Sequence, residues 1–407
     1  MPAPHRTPVR SSGPRRALVV GGGVGGLAAA IAIRSAGWEV EVLERGTVRA
    51  APGAGLALWP NGVRALRALG MGDALAPIAA RVPELAVRRP DGRVLGRFDG
   101  AAVERRWGAP LLAVHRADLL AAQLDHLGAD RVRQCTEVEL VEEGGVRLTD
   151  GTVLEADLVV GADGLHSVTR SVLLCDGEPR QTGIVAFRGV TPADGPVPCG
   201  EWWGPGAIAG LLPLAGGRAY WYVAARDREL AAAAAGAGTD RSAAAGGPSE
   251  RPAAVAAALA ERLSPEVTDA IGATPPGLIV RHALADRRPG RRLVGERLAL
   301  LGDAAHPMLP FLGQGACSAL DDAASLARAL QQEAGLTAAL RRYERERGAA
   351  TARLVRASRS AAGAALMRSA TGRAVRNSLL ATTPQAVHLR RLGRMLQLRP
   401  ARLEAIA

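Results

Sequence analysis

The stretch that decides the fold is RALVVGGGVGGLAAAIAIRSAGWEVEVLE, residues 16–44. Its short apolar start predicts a buried strand, a glycine-rich turn and an apolar helix follow, and EVEVLE alternates as a second strand does. Strand, turn, helix and strand in this order open a βαβ unit. We therefore expect an α/β protein whose first domain is Rossmann-like and has a parallel sheet.

The glycine turn carries Gly21, Gly23 and Gly26 in the order G-x-G-x-x-G. In such a turn the first glycine permits a tight bend, the second lets a pyrophosphate approach the backbone, and the third lets helix and strand pack closely. Glu44 follows Gly26 at the end of the second strand, where a carboxylate can accept hydrogen bonds from an adenosine ribose. The motif predicts a dinucleotide site without choosing between NAD and FAD; a glycine turn without a ligand is the simpler alternative.

A second stretch, LALLGDAAHPMLPFLGQGACSAL at residues 298–320, favours FAD. It runs from apolar residues into Gly302-Asp303, crosses a proline-containing loop and starts a helix. A carboxylate at a distant strand end suits the ribityl hydroxyls of FAD, although Asp303 could instead only cap a short turn. Gly313 and Gly315 permit close approach to a helix N-terminus, which stabilises the negative charge of a reduced flavin ring.

Composition excludes several partners. The net charge of +12 comes from arginine alone, since the chain has no lysine, and these arginines are scattered. With only 3% aromatic residues, we expect no nucleic-acid partner. The four cysteines, Cys135, Cys175, Cys199 and Cys317, have no metal-ligand spacing, so we expect no metal and a reduced, cytoplasmic protein.

The pair Arg15-Arg16 before an apolar run imitates a twin-arginine signal. The βαβ unit explains that run better, and no other segment has the length and character of a membrane span. We therefore expect no membrane partner.

The chain divides by pattern into four kinds of segment. Residues 1–14 are predicted to be a disordered arm, and residues 231–250 a mobile Ala/Gly-rich loop. Strand-like runs prevail between about 180 and 230, and helical patterns follow residue 316 almost to the end. We predict a discontinuous FAD-binding domain over 15–75, 105–175 and 285–340, a mixed-sheet substrate domain over 76–104 and 176–284, and a C-terminal helical region over 341–407.

Three blocks together resemble a known family: GGGVGG with Glu44, DLVVGADGLHSVTR at 157–170, and LLGDAAHPMLPFLGQGA at 300–316. They are similar to the single-component FAD-dependent aromatic hydroxylases, of the para-hydroxybenzoate hydroxylase and salicylate hydroxylase type. The segment VHRADLL resembles the family's flavin-contacting arginine segment, and GAGLALWPNGVRALRALG resembles the stretch that runs beside the flavin. The resemblance assigns cofactor contacts, with nicotinamide docking for the middle block, to Arg116, Asp163, Gly164, Arg170, Gly302, Asp303, Pro310, Gly313, Gly315 and Ala316.

The resemblance implies a monooxygenase. NADH or NADPH would reduce the flavin, and a flavin C4a-hydroperoxide formed with O₂ would hydroxylate or epoxidise an aromatic or polycyclic small molecule. No second G-x-G-x-x-G occurs, so the nicotinamide nucleotide should bind transiently in a groove, with Arg45 either at its phosphate or simply solvated. An FAD-dependent oxidoreductase without oxygen insertion is the alternative. A halogenase needs an active-site lysine that the chain lacks, and a non-catalytic flavin-binding regulator would not need all three blocks.

Substrate contacts are expected on the middle sheet. Arg188, Trp203 and Tyr222 each occupy a strand-like segment where an apolar residue would be the simpler choice, although ordinary packing would also explain them. His306 could be a general base, but its place between a strand end and Pro307 favours capping and loop packing. The sequence leaves open whether the protein is a monomer or a homodimer.

Overall fold

A computed structural model describes residues 15–48, 54–142, 144–193, 195–236 and 250–395. The strands within these ranges are β1 Arg16–Val20, β2 Glu39–Leu43, β3 Gly55–Leu58, β4 Ala79–Arg81, β5 Glu84–Arg88, β6 Val94–Asp99, β7 Leu112–His115, β8 Val132–Arg133, β9 Val138–Glu142, β10 Gly145–Leu148, β11 Val153–Glu155, β12 Leu158–Gly161, β13 Arg180–Pro192, β14 Gly200–Trp203, β15 Ala207–Leu214, β16 Arg218–Arg226, β17 Val280–Asp286 and β18 Leu298–Leu300.

The helices within the same ranges are α1 Val24–Ser35, α2 Pro60–Ala68, α3 Gly100–Trp107, α4 Arg116–Leu127, α5 Val168–Leu174, α6 Asp227–Gly236, α7 Glu250–Ala260, α8 Pro265–Gly272, α9 Gly302–Ala305, α10 Gly315–Gln332, α11 Leu336–Ala365, α12 Ala370–Thr382 and α13 Gln385–Met395. Among the described residues, none of these helices combines the length and apolar character needed to cross a membrane.

A five-stranded parallel sheet forms the first layer, in the order β18-β12-β1-β2-β8. Strand β12 is buried along its whole length, and β1 is buried from Ala17 to Val20, as expected of parallel strands covered on both faces. All five strands run the same way, so the carboxyl ends of β1, β12 and β18 lie side by side at one edge. The three sequence blocks, which are far apart in the chain, therefore meet at that edge.

A seven-stranded mixed sheet forms the second layer, in the order β17-β13-β16-β15-β14-β5-β6. One face, here called the outer face, packs against α6, α7 and α8 through a buried apolar cluster that includes Phe187, Trp202 and Trp221. The opposite face, here called the inner face, contacts the loop after α9 through Leu309 and Phe311. The inner face therefore faces the loop that follows the carboxyl edge of the parallel sheet, and the region between this face and that edge is here called the cleft.

The long helices α10 and α11 buttress that edge. Helix α10 packs against α1 so tightly that a Cβ atom at Gly25 would lie 2.9 Å from the Cβ of Ala319. On α11, the buried Tyr343 donates its hydroxyl to the backbone oxygen of Leu300 at 2.8 Å. Both contacts fix the end of β18 relative to the glycine turn.

The α/β class, the parallel sheet, the mixed sheet and the C-terminal helices are confirmed. The prediction of a loop over residues 231–250 is wrong at its start, because α6 continues to Gly236 and the alanine run is a good helix former. Residues 237–249 lie outside the described ranges, as do the arm at 1–14 and the last residues, 396–407.

Candidate active site

The glycine turn combines two glycines required by packing with one that opens onto free space. Gly21 has φ +105°, and a Cβ there would lie 2.5 Å from the oxygen of Ala162. A Cβ at Gly26 would lie 1.8 Å from the oxygen of Gly21, so the turn and α1 meet backbone to backbone. A Cβ at Gly23 would meet nothing within 4 Å. The second glycine therefore borders a cradle that a ligand can enter.

Helix α1 begins at this cradle without a side-chain cap. Gly23 is its N-cap residue, no side chain accepts from its first N–H groups, and its first turn holds no acidic residue. Free N–H groups and the positive end of the helix dipole therefore face the cradle. This is the local chemistry that binds a phosphate.

Glu44 closes the side of the cradle. Its carboxylate accepts from the backbone N–H of Gly22 at 2.6 Å and from that of Gly46 at 2.8 Å. Each carboxylate oxygen retains acceptor capacity after one hydrogen bond. The side chain is thus fixed at the edge of the glycine turn, where a ribose hydroxyl could also bind. Its neighbour Arg45 is exposed.

The block after β12 is an internally hydrogen-bonded turn. The Asp163 carboxylate accepts from the hydroxyls of Ser167 at 2.5 Å and Thr169 at 2.6 Å, and from the N–H of Thr169 at 3.1 Å. Gly164 follows with φ +79° and open space around it. Asp163 therefore shapes the turn, and Gly164 is the part of the block that leaves room for a ligand.

Arg170 does not lie at the edge of a nucleotide groove, where the sequence placed it. It is buried, with 1% of its surface exposed. Its guanidinium forms a bidentate ion pair with Asp176 and donates to the oxygens of Ala304 at 2.9 Å and Ala305 at 2.7 Å. Arg170 instead ties α5 to the end of α9, a role that sequence spacing alone does not reveal.

Asp303 stands in the first turn of α9, directly after β18, and is exposed. Protein surrounds the carboxyl densely, and this desolvation raises its pKa, although His306 and Arg116 act in the opposite direction. A side chain that is exposed to solvent and yet has many protein atoms around it is typical of the wall of a cleft. No hydrogen bond to its carboxylate is present within the described ranges, so this acceptor remains available.

Arg116 is the first residue of α4 and lies within electrostatic range of Asp303. Burial lowers the pKa of its guanidinium and so does the charge of Arg188, whereas Asp303 and Glu44 raise it. These effects place one arginine within electrostatic range of the glycine turn, the α9 carboxylate and the mixed sheet. Arg116 therefore lies near residues of all three regions, and its contact with a cofactor stays a prediction.

A buried network that the sequence did not predict holds α9 in place. The Asp322 carboxylate on α10 accepts from the N–H of Gly302 at 3.0 Å and from Nε of Arg347 on α11 at 2.6 Å. It also contacts Nε2 of His306 at 2.5 Å. His306 has 4% of its surface exposed, which fits the packing role favoured by the sequence rather than that of a general base.

The loop after α9 leads to a second uncapped helix. A short 3-10 turn, Pro310–Leu312, ends at Gly313 with φ +61°. Helix α10 then begins with no side-chain cap and no acidic residue in its first turn. Gly313 is exposed, while Gly315 and Ala316 are partly exposed. This N-terminus therefore presents free N–H groups to the cleft.

The three substrate-contact candidates share the inner face of the mixed sheet. Arg188 on β13 lies directly opposite Tyr222 on β16, and Trp203 on β14 lies opposite Ile208 on β15, which is opposite Ala224. Cross-strand partners point to the same face. Trp203, Tyr222 and Phe311 of the loop before α10 all pack against the same buried apolar cluster, which includes Ile208 and Leu309. The sheet thus roofs the cleft with these side chains.

Two arginines, Arg188 and Arg116, lie near the inner face of the mixed sheet. Desolvation lowers the pKa of His282 on β17, and the charges of Arg188 and Arg116 lower it further. Arg188 forms no salt bridge with any described residue. The inner face therefore presents a cationic group, Arg188, that is not neutralised by a neighbouring carboxylate.

Comparison with known proteins agrees with this geometry. Residues 15–358 match the family described as FAD binding domain. Among similar proteins, the 3-amino-4-hydroxybenzoate 2-monooxygenase of Streptomyces cremeus is 38% identical over 359 residues, covering 84% of this chain and 86% of the relative. The aurachin C monooxygenase/isomerase of Stigmatella aurantiaca is 36% identical over 337 residues, covering 80% of this chain and 83% of the relative.

A solved structure shows the same architecture. The Klebsiella pneumoniae HpxO protein, in complex with FAD and uric acid, superposes with a TM-score of 0.82 at 28% identity, covering 94% of this chain and 97% of that one. The family match covers most of the chain, and both relatives are more than 30% identical over more than two thirds of it. The chain belongs to the FAD binding domain family, and it is an FAD-dependent monooxygenase that takes its electrons from NADH or NADPH.

Proposed function

We propose that this protein hydroxylates an aromatic small molecule held between bound FAD and the inner face of the mixed sheet. The observation that carries the proposal is the meeting of three groups in one cleft: the open cradle at Gly23, the available carboxylate of Asp303 and the cationic roof at Arg188. The substrates in the names of the relatives, an aminohydroxybenzoate and urate among them, are planar rings.

The residues fit FAD from end to end. Glu44 would bind the adenosine ribose, Gly21, Gly23 and the α1 N-terminus the diphosphate, and Asp303 the ribityl hydroxyls, with Gly26 keeping α1 close. Arg116, Gly164 and Gly302 would border the middle of the cofactor. Pro310, Gly313, Gly315 and Ala316 would bring the α10 N-terminus to the ring, while Asp163 shapes its own turn nearby.

Bound FAD supplies the redox chemistry, namely activation of O₂ for insertion into an electron-rich carbon. The protein orients the substrate, excludes water and stabilises charge. The free N–H groups at the start of α10 would stabilise negative charge on the reduced cofactor. The aromatic wall of Trp203, Tyr222 and Phe311 would exclude water above it.

Arg188 indicates the charge that we expect the substrate to carry. A cation without a partner carboxylate on a desolvated roof favours an anion, and a guanidinium binds a carboxylate in a bidentate fashion. We therefore propose an aromatic or polycyclic substrate that carries a carboxylate or a phenolate. Trp203 and Tyr222 would contact its ring.

The division of the chain into domains is also part of the proposal. We propose that the FAD domain comprises residues 15–75, 105–175 and 285–340 and that the mixed-sheet domain binds the substrate. The nicotinamide nucleotide would bind transiently near the exposed Arg45. The free cysteines suit a reduced, cytoplasmic environment, in which the protein would act as a monomer or homodimer on a small molecule and O₂.

The test begins with the absorbance spectrum of the purified protein, followed by its rate of NADH and NADPH oxidation with a panel of phenolic, carboxylated and polycyclic compounds. We expect a flavin spectrum and oxidation that anionic aromatic compounds stimulate. Stimulation by neutral compounds alone would contradict the role of Arg188. A protein that cannot take up FAD would contradict the cofactor site.

A further inference from the structure

Glu201 on β14 joins two of the substrate-contact candidates. Its Oε2 accepts from Nε1 of Trp203 at 2.7 Å, and its Oε1 accepts from the hydroxyl of Tyr222. Burial raises the pKa of this carboxyl, and the two hydrogen bonds oppose that effect. A buried carboxylate is costly unless it is hydrogen-bonded, and here Trp203 and Tyr222 supply one hydrogen bond to each of its oxygens.

Gly210 makes the contact with Tyr222 possible. It lies between Glu201 and Tyr222 in the cross-strand row of the inner face. A Cβ at this position would lie 2.2 Å from Cζ of Tyr222 and 2.5 Å from its hydroxyl oxygen. The phenol ring therefore crosses a strand where only glycine leaves it room.

The two rings also have fixed outer surroundings. The guanidinium of Arg376 on α12 lies 5.2 Å from the centre of the Trp203 ring and donates to the oxygen of Ala364 at 2.7 Å. On the other side, the ring of Tyr220 lies 5.7 Å from that of Tyr222. Each ring thus has one further neighbour, Arg376 for Trp203 and Tyr220 for Tyr222, and Glu201 accepts a hydrogen bond from the polar atom of each ring.

A phenol has one hydrogen to donate. Tyr222 gives that hydrogen to Glu201, so its oxygen can only accept a hydrogen bond from any ligand in the cleft. We propose that Glu201 is a positioning residue that makes Tyr222 an acceptor, so that the site selects aromatic substrates with a hydroxyl or amino group facing Tyr222. This inference rests on the proposed substrate position and adds the polarity that the substrate must have.

The substitution Glu201→Gln tests this polarity. Trp203 can only donate, so the glutamine must turn its oxygen to Trp203 and its NH₂ group to Tyr222. The Tyr222 hydroxyl would then accept from the glutamine and donate to a ligand. The selectivity for donor groups should therefore fall without removal of any ring.

The probes are phenol and its methyl ether, anisole, which share a ring but differ in the donor. Calorimetry on the FAD-loaded protein measures both dissociation constants. We expect the wild-type protein to bind phenol roughly fivefold more tightly than anisole, the equivalent of one net hydrogen bond of about 1 kcal/mol. The ratio should approach one in both Tyr222→Phe and Glu201→Gln.

Gly210→Ala should also lower the ratio, because its Cβ displaces the Tyr222 ring. The matched control is Gly96→Ala on β6 of the same sheet, where a Cβ meets nothing within 4 Å; it should keep the wild-type ratio. A wild-type ratio near one, no detectable binding of phenol, or an unchanged ratio in Glu201→Gln would each overturn the proposal. Flavin content and oxygen incorporation are measured separately, so a failure of the proposed function would be recognised as such.

Discussion

The carboxylate of Asp322 on α10 accepts a hydrogen bond from the backbone N–H of Gly302, the residue before Asp303, at 3.0 Å. This bond connects the end of β18 to the helix whose N-terminus faces the cleft. The two groups proposed to hold the ribityl chain and the ring of FAD are therefore fixed relative to each other. His306 and Arg347 complete the connection through the same carboxylate.

Asp322→Asn should lower stability and weaken FAD binding together. Burial raises the pKa of Asp322, but His306, Arg347 and its hydrogen bonds outweigh burial and lower the pKa to about 2. A carboxyl whose pKa is lower in the folded state contributes stability above its unfolded pKa, about 3.9. That contribution, on the order of 2 kcal/mol, is lost as the pH falls from about 4 to about 2.

Urea unfolding of wild type and Asp322→Asn between pH 2 and pH 7 measures this contribution. The wild-type protein should lose more stability than the variant over the acid range. If the stability of both proteins changed with pH in the same way, the pKa of Asp322 would be the same in the folded and unfolded states. An additional variant, Glu142→Gln at an exposed ion pair, should leave the acid range nearly unchanged.

Gly23→Val should abolish FAD binding while the protein still folds. A Cβ at this position meets no atom within 4 Å, and the valine side chain would occupy the cradle where the diphosphate would lie. Flavin content after purification and thermal unfolding of the apoprotein check both parts. Gly96→Val is the matched control on an open strand position; a Gly23→Val protein with full flavin content would remove the glycine turn from the cofactor site.

Asp303→Ala should weaken FAD binding by about 1.5 to 3 kcal/mol, because the ribityl hydroxyls lose a charged acceptor. This corresponds to a roughly tenfold to hundredfold higher dissociation constant, measured by titrating the apoprotein with FAD. Asp130→Ala, an exposed carboxylate whose only salt bridge among the described residues is to its neighbour Arg131, controls for charge. Equal affinities in wild type and Asp303→Ala would exclude the ribityl role.

Arg188→Gln should raise KM for carboxylate-bearing aromatic compounds about tenfold or more and leave neutral ones nearly unchanged. Arg281→Gln is the control, since Arg281 pairs with Phe187 and so points to the outer face of the same sheet. Steady-state nicotinamide oxidation with both compound classes gives the comparison. A uniform change in KM across the two classes would indicate that Arg188 acts through packing.

The cofactor half of the site could be predicted because backbone geometry demands particular residues. Gly21 and Gly26 stand where no side chain fits, so the G-x-G-x-x-G order is visible in sequence. The parallel sheet then brings Asp303 to the same edge. The family resemblance supplied Arg116, which has no local pattern of its own.

The substrate half could be predicted only in part. Arg188, Trp203 and Tyr222 could be predicted as candidates because they are polar or large residues in strands. Their shared face follows from the alternation of side chains along each strand. Glu201 is also a charged residue in a strand, but its two partners could not be predicted because strand pairing and the absence of a side chain at Gly210 determine them. Asp322 and Arg170 were missed or misplaced for the same reason: their partners lie more than fifteen residues away in sequence or belong to another element.

The most direct test of the central claim is the mass of the product formed under ¹⁸O₂ from the aromatic compound that best stimulates NADH or NADPH oxidation. We expect a product heavier by one ¹⁸O atom, with the second atom of O₂ recovered in water. A product that carries no label, with all of the O₂ recovered as hydrogen peroxide, would contradict oxygen insertion in this cleft.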